Sequence, residues 1–101
     1  MTREISERIS QRRRQVLVHS VIYYKYGDSI ISDSKWTEFA KELLDLQNQY
    51  PEIAANCVYH DDFIDFDCSS GYDLPLDDPY ANFIAERLLY SRDKKERINY
   101  E

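Results

Sequence analysis

The chain has 101 residues, 43% of them hydrophobic, with nine tyrosines, two glycines, three prolines and a formal net charge of -6. That length makes one domain with a modest core, so most large apolar residues are needed for packing. The acidic balance excludes nonspecific nucleic-acid binding, which needs dense Lys and Arg, and no bilayer-spanning apolar run or basic-then-apolar leader occurs, so the reading is a cytoplasmic domain with no direct nucleic-acid or membrane contact.

Apolar spacing predicts a first helix over about 5–26, with Ile5, Ile9, Val16 and Tyr23 near one face and Leu17 and Tyr24 beside them. Its start is basic, with Arg3, Arg8, Arg12, Arg13 and Arg14 against Glu4 and Glu7. Positive charge is unfavourable at the positive end of a helix dipole, so the first turns are expected to fray unless the glutamates compensate. The arginines are otherwise read as a solvated face laced with Glu-Arg pairs. Gly27 is placed to stop the helix, because glycine takes the left-handed conformation without steric cost.

A second helix is predicted over about 33–50, opened by Ser32 or Asp33 as cap and carrying Trp36, Phe39, Ala40, Leu43, Leu46 and Tyr50 at helical spacing up to Pro51. Paired tyrosines thus close one helix while an aspartate and a tryptophan open the next. Flat faces and an anionic acceptor can converge across such a turn, as a seat for a small flat ring carrying hydroxyls. Periodicity alone would make Trp36 and Tyr23 simple core residues.

These residues resemble the small N-terminal helical subdomain, Ia, of bacterial NAD-dependent DNA ligases. That family has a Tyr-Tyr or Tyr-His pair, an Ile-Ser-Asp or Ile-Pro-Asp turn, a Tyr-Asp pair and a helix running through Leu-x-x-Leu to a His-Pro-like end. Here the corresponding residues are Tyr23-Tyr24, Ile31-Ser32-Asp33, Trp36-Thr37, Leu43-Leu44-Asp45-Leu46 and Tyr50-Pro51. The resemblance implies a site for the nicotinamide mononucleotide (NMN) half of NAD. Tyr23 and Trp36 would stack on the ring, and Tyr24 and Asp33 would serve its polar groups. Thr37 stands where the family has a second aspartate, and His19, one turn before Tyr23, borders the site. No Lys-x-Asp-Gly adenylation motif occurs in these residues. The resemblance therefore implies a non-catalytic binder of NMN, NAD or an NAD-derived nucleotide, with no cofactor required. Similarity to free-standing, phage-encoded relatives extends this to sequestration of an NAD-derived signal in phage–host conflict. The alternative is a helical module on the same scaffold that has lost the ligand and binds a host or phage protein through exposed tyrosines.

Residues 52–78 read as an irregular acidic loop, with Val58-Tyr59-His60 and Phe63-Ile64-Asp65-Phe66 as brief strands or core-filling segments. Cys57 and Cys68 lack zinc-ligand spacing and read as two free thiols. The run from Asp65 to Asp73 fails as a calcium loop, because its glycine comes one place late and Leu76 stands where a bidentate glutamate belongs. Ser69, Ser70 and Gly71 offer hydroxyls and an open backbone suited to a phosphate or ribose, against the plainer reading of a polar turn.

A third helix is predicted over about 79–95, with Asp78 as cap and Pro79 at its first position. Its expected inner face is Tyr80, Phe83, Ile84, Arg87 and Leu88, with Leu89 alongside, packed across both earlier helices. Residues 91–101 are expected to fray, anchored by Ile98 and Tyr100. The two histidines, His19 and His60, form no catalytic motif. The reading as a whole is a single all-α domain over 1–101, a compact bundle of three main helices with an irregular acidic loop between helices 2 and 3.

Overall fold

The computed structural model describes residues 2–100, with side chains described through Lys94. The fold is all-α: α1 (Thr2–Lys25), α2 (Asp33–Gln49), α3 (Pro51–Ala54), α4 (His60–Phe63) and α5 (Pro79–Tyr100). α1 lies at the centre, and α2, α3 and α5 all pack on it. This explains why its apolar residues come in runs. Val16, Leu17, Val18, Val21 and Ile22 are all buried, because a helix covered on more than one side buries more than one stripe. α1 is intact from its first described residue, with Glu4 in the first turn and an Arg3–Glu7 ion pair of 3.0 Å, so the expected fraying is compensated. At its other end Gly27, at φ +63°, turns the chain, and the Asp28 amide reaches back to the Ile22 carbonyl at 3.1 Å.

α2 follows its predicted stripe. Ala40 and Leu43 are buried, with Trp36, Phe39 and Leu46 packed against the core. Ser32 is the cap, accepting the Lys35 amide at 3.1 Å. Pro51 does not open an irregular segment; it stands at the first position of the one-turn α3, where its missing N–H costs nothing. The predicted loop contains a second such turn, α4, entered through Tyr59 at φ 60°. The brief strands considered there do not form. Phe63 is fully buried and Phe66 half-buried, whereas Ile64 is 63% exposed.

Two further sequence expectations are corrected. Arg13 is not on a solvated face: it is 1% exposed. Its Nε donates to Gln47 at 2.8 Å, and its Nη1 donates to the carbonyls of Ala54, Cys57 and Val58 at 3.1, 3.3 and 2.9 Å. The guanidinium thus satisfies the Cys57 and Val58 carbonyls in the turn after α3 and joins the Cys57 amide on the Ala54 carbonyl, which a solvated residue could not do. Arg8 pairs with Glu42 at the surface, whereas Arg12 reaches the same carboxylate with its side chain only 13% exposed and its guanidinium 4.4 Å over the Phe39 ring, so it too leaves the solvated face.

The second correction is α5. It packs on α1 without a comparable contact on α2, and its inner face is Ala81 and Ala85, both fully buried, with Ile84 and Leu89 beside them. Small residues let two helix backbones approach closely, and the large residues turn outward: Tyr80, Phe83 and Tyr90 are half or more exposed. Backbone helicity continues to Tyr100 and does not end near 95. The Ile98 and Tyr100 anchors lie outside the described side chains.

A candidate ligand cavity between the first two helices

A cavity of about 240 Å³ opens between the C-terminal end of α1 and the N-terminal end of α2. Every residue singled out from the sequence lines it: His19, Tyr23, Tyr24, Asp33, Trp36, Thr37, Ser69, Ser70 and Gly71. Each wall has a local cause. Tyr23 and Tyr24 sit on the last turn of α1, exposed to 55% and 39% and off the buried stripe, with their rings edge to face at 4.9 Å. Asp33 and Trp36 sit on the first turn of α2. Because Ser32 does the capping, the Asp33 carboxylate takes no hydrogen bond within the described residues and remains available.

Trp36 is held from behind. Its indole N–H donates to the Ser20 hydroxyl at 3.2 Å, with the Val16 carbonyl at 3.4 Å, and its ring meets Phe66 edge to face at 6.3 Å. The polar edge is thus used for positioning, and the ring is only half-buried. Ser20 was not recognised from the sequence. A small residue one turn from Val16 in an otherwise bulky buried stripe is the signal that could have found it, together with Ser29, Ile30, Ile31 and Ser32, which also line the cavity.

The far wall comes from residues 69–71, distant in sequence. Gly71 is buried against α1, and a β-carbon there would lie 2.0 Å from the Ser20 hydroxyl oxygen. Glycine is required by this approach, not by its backbone angles. The Tyr24 and Ser70 hydroxyls share a hydrogen bond of 3.1 Å, while Ser70 Oγ also accepts the Tyr72 amide. Two hydroxyl protons are present and one is used, so the pair retains one donor at the cavity wall. Ser69 has none to spare, since its hydroxyl donates to Asp67 at 2.6 Å. His19 is held neutral by burial, which lowers its pKa, and its Nδ1 has no partner within the described residues.

Residues 2–56 match the family described as DNA ligase-like, N-terminal NAD+-binding domain. The chain belongs to this family. It is similar to the DNA ligases of Pseudothermotoga lettingae (36% identical over 50 residues, 50% of this chain and 7% of the ligase), Petrotoga mobilis (35% over 51, 50% and 8%) and Methylococcus capsulatus (32% over 50, 50% and 7%). The matched half of the chain therefore covers less than a tenth of the length of these relatives, and it covers their N-terminal region without the catalytic one. No solved structure matches. Within the family segment lie α1, α2 and α3, hence Tyr23, Tyr24, Asp33, Trp36 and Thr37. The Ser69–Gly71 wall and the whole of α5 lie outside it.

Proposed function

We propose that these 101 residues form a non-catalytic binding domain for a nicotinamide nucleotide or an NAD-derived relative. The observation that carries the reading is the convergence of Tyr23 and Trp36, from two helices, on one cavity that also holds the unengaged Asp33 carboxylate. Family membership supplies the ligand class. Stacking on two aromatic faces supplies affinity, and Asp33 with the spare Tyr24–Ser70 hydroxyl supplies acceptor and donor for a ribose. The volume lies below the roughly 300–1,000 Å³ of pockets that enclose a drug-sized ligand. It suits one ring with its sugar, and a dinucleotide would extend from the open mouth. A domain that holds such a molecule unconverted acts by sequestration, sensing or delivery, and capture of an NAD-derived signal in phage–host conflict is one such use.

The test exploits the single tryptophan: titration with NMN, NAD, ADP-ribose and AMP, followed by Trp36 fluorescence and by calorimetry. Saturable binding of the nicotinamide ligands, lost in folded Tyr23→Ala and Asp33→Ala proteins, is the expected result. Silence from both methods at millimolar ligand would sink the reading.

A second reading, a protein interaction module, is favoured by a different surface. Tyr80, Phe83 and Tyr90 are 50%, 55% and 67% exposed on α5. Tyr90→Ala would impair partner binding and leave nucleotide binding intact, with Tyr23→Ala doing the reverse.

A further inference from the structure

The charge around the cavity narrows the ligand beyond its class. Among the described residues no lysine or arginine lines it, and its two ionisable groups besides tyrosine are Asp33 and the neutral His19. Nearby cations are already paired: Lys25 with Asp77 at 3.4 Å, Lys35 with Glu38 at 3.6 Å and Arg92 with Asp28 at 2.8 Å. The N-terminus of α2 is the remaining feature that attracts anions, and it already carries the Ser32 cap and the Asp33 carboxylate. A phosphate with a charge of roughly -1.5 to -2 placed there would face a like charge. The serine loop offers no countercharge: Ser69 has spent its proton on Asp67, and the Tyr24–Ser70 pair keeps a single neutral donor.

A cation fares differently. The oxidised nicotinamide ring, once joined to ribose, is a pyridinium with a full positive charge. Aromatic faces attract such a charge, as does a free carboxylate in a partly enclosed site. Resting on the nucleotide-binding reading above, we propose that the cavity recognises the pyridinium nucleoside itself: it selects the charged ring with its ribose, while the 5′-phosphate remains in solvent and contributes no affinity. The Ser70 wall then serves the ribose and not a phosphate.

The experiment compares three ligands by calorimetry: NMN, nicotinamide riboside and benzamide riboside, the last a flat C-nucleoside of the same shape without the charge. Nicotinamide riboside is expected within about threefold of NMN, and benzamide riboside about tenfold weaker, as a lost cation–π contact and a lost charge pair imply. Asp33→Asn, at an exposed position that does not cap α2, keeps an acceptor oxygen for the ribose and removes the charge, so it should weaken nicotinamide riboside distinctly more than benzamide riboside. If NMN binds more than about tenfold tighter than its riboside, or the two ribosides bind alike, or Asp33→Asn weakens both ribosides equally, charge selection is overturned while nucleotide binding stands. If none of the three binds, both readings fall together.

Discussion

Gly71 lies so close to Ser20 that a β-carbon on it would approach the Ser20 β-carbon to 2.7 Å and its hydroxyl oxygen to 2.0 Å. The same hydroxyl donates to the Val16 carbonyl at 2.7 Å and accepts the Trp36 indole N–H, so one small polar residue fixes both the tryptophan and the loop opposite it. Gly71→Ala must therefore displace the loop or the indole. Overpacking of this kind costs about 1–3 kcal/mol. Urea unfolding followed by Trp36 emission measures the loss, and the cavity ligand should be lost with it. Adding Ser20→Ala should restore stability only in part, since the β-carbon contact remains.

Arg13 supports the core from inside. Arg13→Ala takes a donor from the Cys57 and Val58 carbonyls and from Gln47, leaves the Ala54 carbonyl with the Cys57 amide alone, and opens a void, for an expected loss of about 3 kcal/mol or more. Lysine cannot reproduce the planar fork, so Arg13→Lys should also be clearly destabilised. Arg14→Ala, one position on and exposed, should cost less than about 0.5 kcal/mol. Equal losses for Arg13→Ala and Arg14→Ala in denaturant melts would contradict this assignment.

Arg92 fastens α5 to the connection between α1 and α2. It donates to both oxygens of Asp28, at 2.9 and 2.8 Å, and to the Ser29 carbonyl at 3.2 Å, beside cavity residues Ile30 and Ile31. The Arg92 hydrogen bonds, aided by the Ser29 amide, hold the Asp28 carboxyl down at about 2. A carboxyl depressed in the folded state stabilises above its unfolded pKa and loses that contribution as pH falls through the folded value. The fastening should thus be complete above about pH 4 and lost toward about pH 2. Hydrogen exchange at residues 28–31 should rise over that window in the wild type and be raised already at neutral pH in Arg92→Ala, whose ligand affinity should fall without vanishing.

Tyr59 donates its hydroxyl to Asp78 at 2.9 Å, and the same carboxylate oxygen caps α5 by accepting the Ala81 amide at 2.9 Å. Burial and the Asp78 carboxylate push the Tyr59 hydroxyl up to about 12. The stabilisation is complete below the ordinary tyrosine pKa of about 10 and is lost as pH rises toward the folded value. NMR titration should show one tyrosine ionising late. Tyr59→Phe should abolish that signal and cost about 1–2 kcal/mol.

Much of this molecule was legible in its residues. Local chemistry sets the ends of the long helices: Gly27 supplies a positive φ, Ser32 an oxygen for a free amide, and Pro79 a first helical residue that needs no N–H. The spacing of Tyr23, Asp33 and Trp36 around that turn was equally local, so the sequence by itself determined that these groups flank one connection.

Tertiary structure decided what sequence spacing cannot express. Arg13 differs from Arg12 and Arg14 only in the direction its side chain takes from α1, and that matters only once the end of α3 and the turn after it bring three carbonyls to it. In α5 the inward face went to Ala81 and Ala85 and not to the aromatics, because close approach to α1 favours small side chains over large ones. The Ser69–Gly71 wall joins residues some fifty positions from Ser20 and Tyr24 in the chain, through one contact too short for any residue but glycine. The sequence determined which groups were available for a cavity. Only the packing of the distant loop onto α1 decided that the cavity has a closed side, because that contact depends on the position of two backbones in space.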